Sequence, residues 1–186
     1  MADPACIVAF KKLLKEGPDH SHVDEMVREF YGENDRAAII LLSTFAEQGI
    51  VWAIRSKMGK HSLVGQLFDP DGAIGTFGAK ISVAFALDLS GTKTKHDLDL
   101  IRTLRNGCAH SDIPLRFKTP EVRAVCDHLL LPDTEFAKVP SDWVEMDSIA
   151  ARDKTNPKTR YATACQTILP HMIAIHLRQP SARPLP

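Results

Sequence analysis

The sequence has no surplus of either charge. Lys and Arg number 23, Asp and Glu number 23, and the formal net charge is zero. A protein whose whole surface attracts nucleic acid is thereby excluded, because that attraction rests on a large cationic excess. A local basic patch is not excluded. Close cysteine pairs are missing too. Cys6, Cys108, Cys126 and Cys165 are scattered, so no Cys-x-x-Cys metal or redox knuckle exists. Each lies in an apolar-periodic stretch, the usual place of a small buried hydrophobe, which predicts reduced thiols in a cytoplasmic protein. No strictly apolar run exceeds the six residues 37–42, far fewer than the ~20 that span a bilayer. Asp3, Lys11, Lys12, Lys15 and Glu16 leave no visible secretory signal in the first 30 residues. No membrane partner is expected. Gly72 and Gly75 are not followed by Gly-Lys-Ser/Thr, which excludes a phosphate loop. Internal repeats, low-complexity tracts and period-two alternation are all absent.

What is present is helical periodicity in a chain of ordinary size. The 186 residues are 44% hydrophobic and 25% charged, enough for one soluble domain that closes a core without metal or disulfide staples. Asp3-Pro4 starts a helix with Ile7, Phe10 and Leu14 on one face, and Gly17-Pro18 stops it. Val23, Met26, Val27 and Phe30 mark a second helix. Asn34 caps a longer one running to about Met58, whose start is apolar all round, as in a central helix buried on several sides. Residues 63–68 make about two turns, and residues 69–75 are the densest turn signal. Thr76 caps a helix to about Leu89, with Gly78, Ala79, Ala84 and Ala86 small enough for close helix approach. A further helix runs from Lys95 to about Ala109 with Leu98, Ile101, Leu104 and Cys108 inward. Thr119-Pro120-Glu121 opens another, lined by Val122, Val125, Cys126 and Leu129. Residues 132–155 read mostly as loop. Asn156-Pro157 opens a last helix that Pro170 must kink or split. The fold class is therefore all-α, a single multi-helix bundle over 1–178 with a flexible tail over 179–186.

Chemistry concentrates in one segment, Asp97 to His110. Residues on a helix turn by about 100° each, so Arg102, Asn106 and His110 form one slowly drifting polar stripe, with Arg105 beside it. Two guanidiniums, an amide and an imidazole supply the parts for binding a phosphate or carboxylate. Arg102, Arg105, Asn106 and His110 are the candidate binding residues. Gly107 weakens the helix locally and marks where it could end. The bland alternative is a structural polar network, with Lys95–Asp99 and Asp99–Arg102 paired along the surface. Charge is also uneven near the end: residues 121–149 hold seven acids and two bases, residues 150–186 six bases and one acid. Two solvated surfaces, self-association or a weak anion site would all produce that pattern.

Other candidates are weaker. His20, His22, Asp19 and Asp24 form an ordinary capping segment, and no ligands converge from elsewhere, so no metal and no cofactor are expected. His171 and His176 are five apart rather than four. Trp52 and Trp143 read as core and surface anchors.

The chain resembles the mannitol operon repressor (MtlR) family. The matching stretches are Asp35-Arg36-Ala37-Ala38-Ile39-Ile40, Leu67-Phe68-Asp69, Gly75-Thr76-Phe77-Gly78-Ala79-Lys80-Ile81, Ala84-Phe85-Ala86-Leu87, and Asp97-Leu98 through Ile101-Arg102 to Arg105-Asn106 and Ala109-His110. They cover roughly the middle half of the chain. The resemblance implies a helical, cytoplasmic bacterial protein linked to regulation of sugar-alcohol uptake genes. Direct DNA reading is not expected of it. A recognition helix needs an exposed face rich in Arg, Lys, Asn or Gln, and no helix qualifies. Regulation would run through another regulatory protein or a small ligand, with a homodimer as a further option.

Arg105-Asn106-Gly107-Cys108-Ala109-His110 also resembles the Arg-x4-His motif of HEPN domains, small helical bundles of which many are metal-independent ribonucleases. That likeness implies His110 as general acid or base and Arg105 on the phosphate, both catalytic, with RNA as partner and Asn106 orienting it. On one ideal helix Arg105 and His110 lie about 140° apart. They converge only if the helix ends near Gly107 or if two copies meet. A plain interaction scaffold is the third reading.

Overall fold

Apolar residues at helical spacing need a partner surface, and here the longest apolar helix is wrapped by the others. The computed structural model describes residues 34–58, 61–136 and 153–177, which belong to one compact unit, Glu33–Pro186. The two helices expected before Gly32, the tail, Trp143 and the His20–His22 segment lie outside the described residues. Helix α1 spans Asp35–Lys57, α2 Val64–Leu67, α3 Phe77–Ala86, α4 Thr92–His110, α5 Pro120–Asp127, α6 Leu131–Phe136 and α7 Pro157–His176. The described residues contain no strand, and the class is all-α, a helical bundle.

Helix α1 starts where its cap dictates. The Asn34 side chain accepts from the Ala37 amide at 3.0 Å, satisfying one of the first-turn N–H groups. Asp35 in the first turn and Arg55 and Lys57 in the last complement the helix dipole. Ile39, Ala46, Ile50, Ala53 and Ile54 are wholly buried. Averaged over its most apolar window, α1 has mean hydropathy 1.7, long and apolar enough by composition to cross a bilayer. More than half of that window is buried within the protein, as in a core helix.

Helix α1 packs chiefly against α7, and also against α3 and α4. Gly49 sets the α1–α7 approach. A Cβ there would sit 3.1 Å from Leu169 Cδ1 and 3.3 Å from Met172 Cβ. Tyr161 of α7 is fully buried and donates its hydroxyl to the Ile39 carbonyl at 3.0 Å, so its polar tip is satisfied inside the core. Lys80 of α3 donates to Glu47 of α1 at 2.6 Å and to the Gly75 carbonyl at 3.1 Å, tying α3 and the preceding turn to α1.

Several expected boundaries move. The stretch after Ser62 forms one turn, α2, rather than two. Helix α3 ends at Ala86, not Leu89, because Asp88 adopts a left-handed backbone (φ 55°) and the Leu89 amide reaches back to the Ala84 carbonyl at 2.9 Å. That is a Schellman-type stop with aspartate where glycine is usual. Of residues 132–155, expected mostly as loop, the first five belong to α6. Pro170 does not split α7, which runs through it as one helix with Pro170 exposed. Burial of Ile168, Leu169, Met172 and Ile173 around it offsets the ~3 kcal/mol an interior proline costs.

Candidate functional site

Helix α4 buries Leu98, Ile101, Leu104 and Cys108, the face its periodicity predicts. It is unbroken through His110, and the Ser111 amide closes it on the Gly107 carbonyl at 2.9 Å. Gly107 therefore does not end the helix. A Cβ on it would meet only Leu115 Cδ1, at 3.7 Å, so the position has room for a side chain. With the helix continuous, Arg105 and His110 leave α4 about 140° apart, and one copy of α4 does not converge them. Arg102, Asn106 and His110 keep their shared stripe.

The four residues have different surroundings. Arg102 is half-buried, its Nε 3.7 Å from Asp99 Oδ1 and shielded without a hydrogen-bond partner. It lies against α3, where a Cβ on Gly78 would touch its guanidinium stem at 3.7 Å. Asp99 also holds Lys95 at 2.8 Å, so the surface pairs expected along α4 both form. Arg105 donates to Asn106 Oδ1 at 3.0 Å, which steadies both half-buried side chains. His110 is exposed at the helix end. The stripe thus runs from the half-buried Arg102 through the half-buried Asn106 to the exposed His110.

Asp97 belongs to a different assembly from its neighbours on the stripe. It is wholly buried, and its carboxylate accepts from the amides of Leu130 (2.9 and 3.1 Å) and Leu131 (2.8 Å), where α6 begins. Arg160, counted by sequence in a basic surface, is also buried. It donates to the carbonyls of Cys126 (3.0 Å), Asp127 (3.4 Å) and Leu129 (2.6 Å) and to both Asp133 oxygens (2.6 and 3.1 Å). That hydrogen bond raises the Arg160 pKa and lowers that of Asp133. Arg160 and Asp97 thus fasten the α5–α6 corner from α7 and α4. The C-terminal segment loses one cation from its surface.

A cleft of about 540 Å³ opens beside the C-terminal end of α4, lined among the described residues by Asn34, Asp35, Arg36, Pro114, Leu115 and Arg116. Leu115 connects it to α4, since it is the neighbour that faces Gly107. Asp35 is already engaged, accepting from the Phe117 amide at 3.1 Å with Lys158 Nζ 3.9 Å away. Arg36 lies close enough to favour the Cys108 thiolate electrostatically, although burial dominates and raises that thiol. Sequence reasoning gave Arg36 and Arg116 no role. One signal was available: a base in the first turn of α1 opposes the helix dipole.

The remaining candidates are structural. Cys108, Cys126 and Cys165 are free and buried. Burial pushes Cys126 up to about 12 and Cys165 higher still, so these thiols are poor nucleophiles. The half-buried His171 is held below its usual range by burial. His176 Nδ1 meets the Trp52 carbonyl at 3.2 Å. Among the described residues no cluster of three or more His, Cys, Asp or Glu could hold a metal ion. Comparison with protein-family models, curated proteins and solved structures finds no match to this chain.

Proposed function

We propose that this chain is a regulatory binding module of the mannitol operon repressor kind, acting in the bacterial cytoplasm through contact with another protein or a small ligand rather than by reading DNA. The observation that carries this reading is the shared polar face of α4. Arg102, Asn106 and His110 share it, while the unbroken helix turns Arg105 and His110 about 140° apart. A contact surface needs polar groups on one face. A catalytic acid–base pair needs them within hydrogen-bond reach of one substrate. Electrostatics supports the same conclusion about DNA. The chain is neutral, Arg160 is withdrawn into the interior, and α4 pairs Lys95 and Arg102 with Asp99. Little phosphate neutralisation is left to drive affinity.

Two measurements test it. In the source bacterium, deleting the gene should change transcript levels of sugar-alcohol uptake genes, and a copy carrying R102A, N106A and H110A should fail to restore them. The pure protein should not shift operator DNA at physiological salt. A tight, sequence-selective shift would overturn the argument from charge. Metal-independent RNA cleavage that His110→Ala abolishes in a folded protein would replace this reading with the HEPN-like ribonuclease, active as paired copies.

A further inference from the structure

The cleft at the start of α1 is independent of the α4 stripe and carries its own chemistry. Its charges are out of balance. Arg36 and Arg116 line it, and neither guanidinium is hydrogen-bonded or ion-paired among the described residues. The other described arginines are engaged. Arg55 lies over the Phe68 ring at 4.8 Å, Arg102 and Arg123 approach Asp99 and Asp127, Arg105 donates to Asn106, and Arg160 is fully bonded. The one acid among the described residues that line the cleft, Asp35, accepts from the Phe117 amide and has Lys158 Nζ 3.9 Å away. Two arginines without a counter-ion among the described residues therefore line one cleft in a protein of zero net charge.

We infer that this cleft binds a small organic phosphomonoester, with Arg36 and Arg116 holding the phosphate and Leu115 and Pro114 packing against the organic part. Arginine suits the role because its planar donors match phosphate oxygens in pairs. The cleft volume, about 540 Å³, lies in the range of small-molecule sites, roughly 300–1,000 Å³. A bare inorganic anion would leave most of it empty. The apolar Leu115 and Pro114 wall gives a larger ligand something to bury.

The test uses glucose 6-phosphate as probe, with glucose and inorganic phosphate as matched arms, on the full chain at low salt. Calorimetry and thermal shift should show glucose 6-phosphate binding, inorganic phosphate binding more weakly, and glucose not at all. Arg36→Gln and Arg116→Gln should each weaken glucose 6-phosphate about tenfold or more, whereas Arg123→Gln on α5 should not. Arg116 is exposed, so its variant keeps the fold even if the Arg36 variant does not. Amide and arginine side-chain resonances of the unaltered protein should move at Arg36, Leu115 and Arg116. Binding of all three probes alike, binding unaffected by R116Q, shifts confined to other helices, or no binding by any probe would each overturn the assignment. None of these results bears on whether α4 contacts a partner, which the transcript measurement reads separately.

Discussion

Removing the Asp97 carboxylate should be among the most damaging single changes in this protein. Two backbone amides, those of Leu130 and Leu131, donate to it through contacts of 2.8 to 3.1 Å, and the side chain is wholly buried. A hydrogen bond to a charged group contributes about 1.5–3 kcal/mol, and an amide left unpaired in the interior carries a similar penalty. Two such amides put Asp97→Ala at about 3–6 kcal/mol. Folding free energies are only about 5–15 kcal/mol in total. With a urea m-value of about 2 kcal/mol/M, the midpoint should fall by about 1.5–3 M. Asp97→Asn keeps one acceptor oxygen and places an amino group toward the other donor, so it should lose about half as much. Arg160 is the neighbouring buried cation, its charge favoured by Asp97. A double-mutant cycle with Arg160→Met should therefore show a coupling of about 0.5–3 kcal/mol. The assays are urea denaturation followed by circular dichroism, and amide exchange at Leu130 and Leu131. A loss under about 1 kcal/mol for D97A, or unchanged exchange at those amides, would refute the account of this corner.

Other consequences follow from particular backbones and burials. Gly107→Ala should raise stability by up to about 1 kcal/mol, because the helix is regular there and a Cβ meets only Leu115 at 3.7 Å; thermal denaturation reads it, and a loss would mean that α4 bends at this point. Asp88→Gly should gain roughly 0.5–1 kcal/mol by relieving the left-handed residue that ends α3, measured as a higher denaturant midpoint. Gly49→Ala should instead lose about 1–3 kcal/mol, since its Cβ would press on Leu169 and Met172 of α7 at 3.1 and 3.3 Å. His171 gives a pH dependence of definite sign. Its folded pKa is lowered from 6.5 by burial, so below about that pH the unfolded chain takes up a proton that the folded chain resists. Stability should fall as pH drops through 6.5 toward the folded value and level off beneath it. In a comparison of denaturation curves across that range, His171→Gln should show the smaller acid loss.

The helices were legible because their signals are local. Asn34, Thr76 and Asn156 each cap the helix that follows through their own side chains, and Leu98, Ile101, Leu104 and Cys108 fall on the buried side by spacing alone. The stop at Asp88 was not legible, because aspartate adopts a left-handed backbone only where the surrounding chain holds it there. The α4 stripe was readable as a stripe, since 100° per residue needs no neighbour. Whether Arg105 and His110 converge depended on where the helix ends, which the glycine at 107 left open and the Ser111–Gly107 bond closed.

Periodicity tells which way a side chain leaves its own helix. It does not say what waits on the other side. Arg160 reads as part of a basic surface, and Asp97 as part of a polar network along its own helix, because their partners, carbonyls and amides of the α5–α6 corner, lie some 30 residues away. Arg36 and Arg116 are 80 positions apart, and only the return of the chain after α4 puts them in one cleft. Sequence by itself determined the class, most of the described helices and the face each turns inward, through short-range hydrogen bonding and the geometry of one helix. Tertiary structure decided which charges are buried, which are left without a counter-ion and where a ligand could enter, because each of those is a property of two segments brought together.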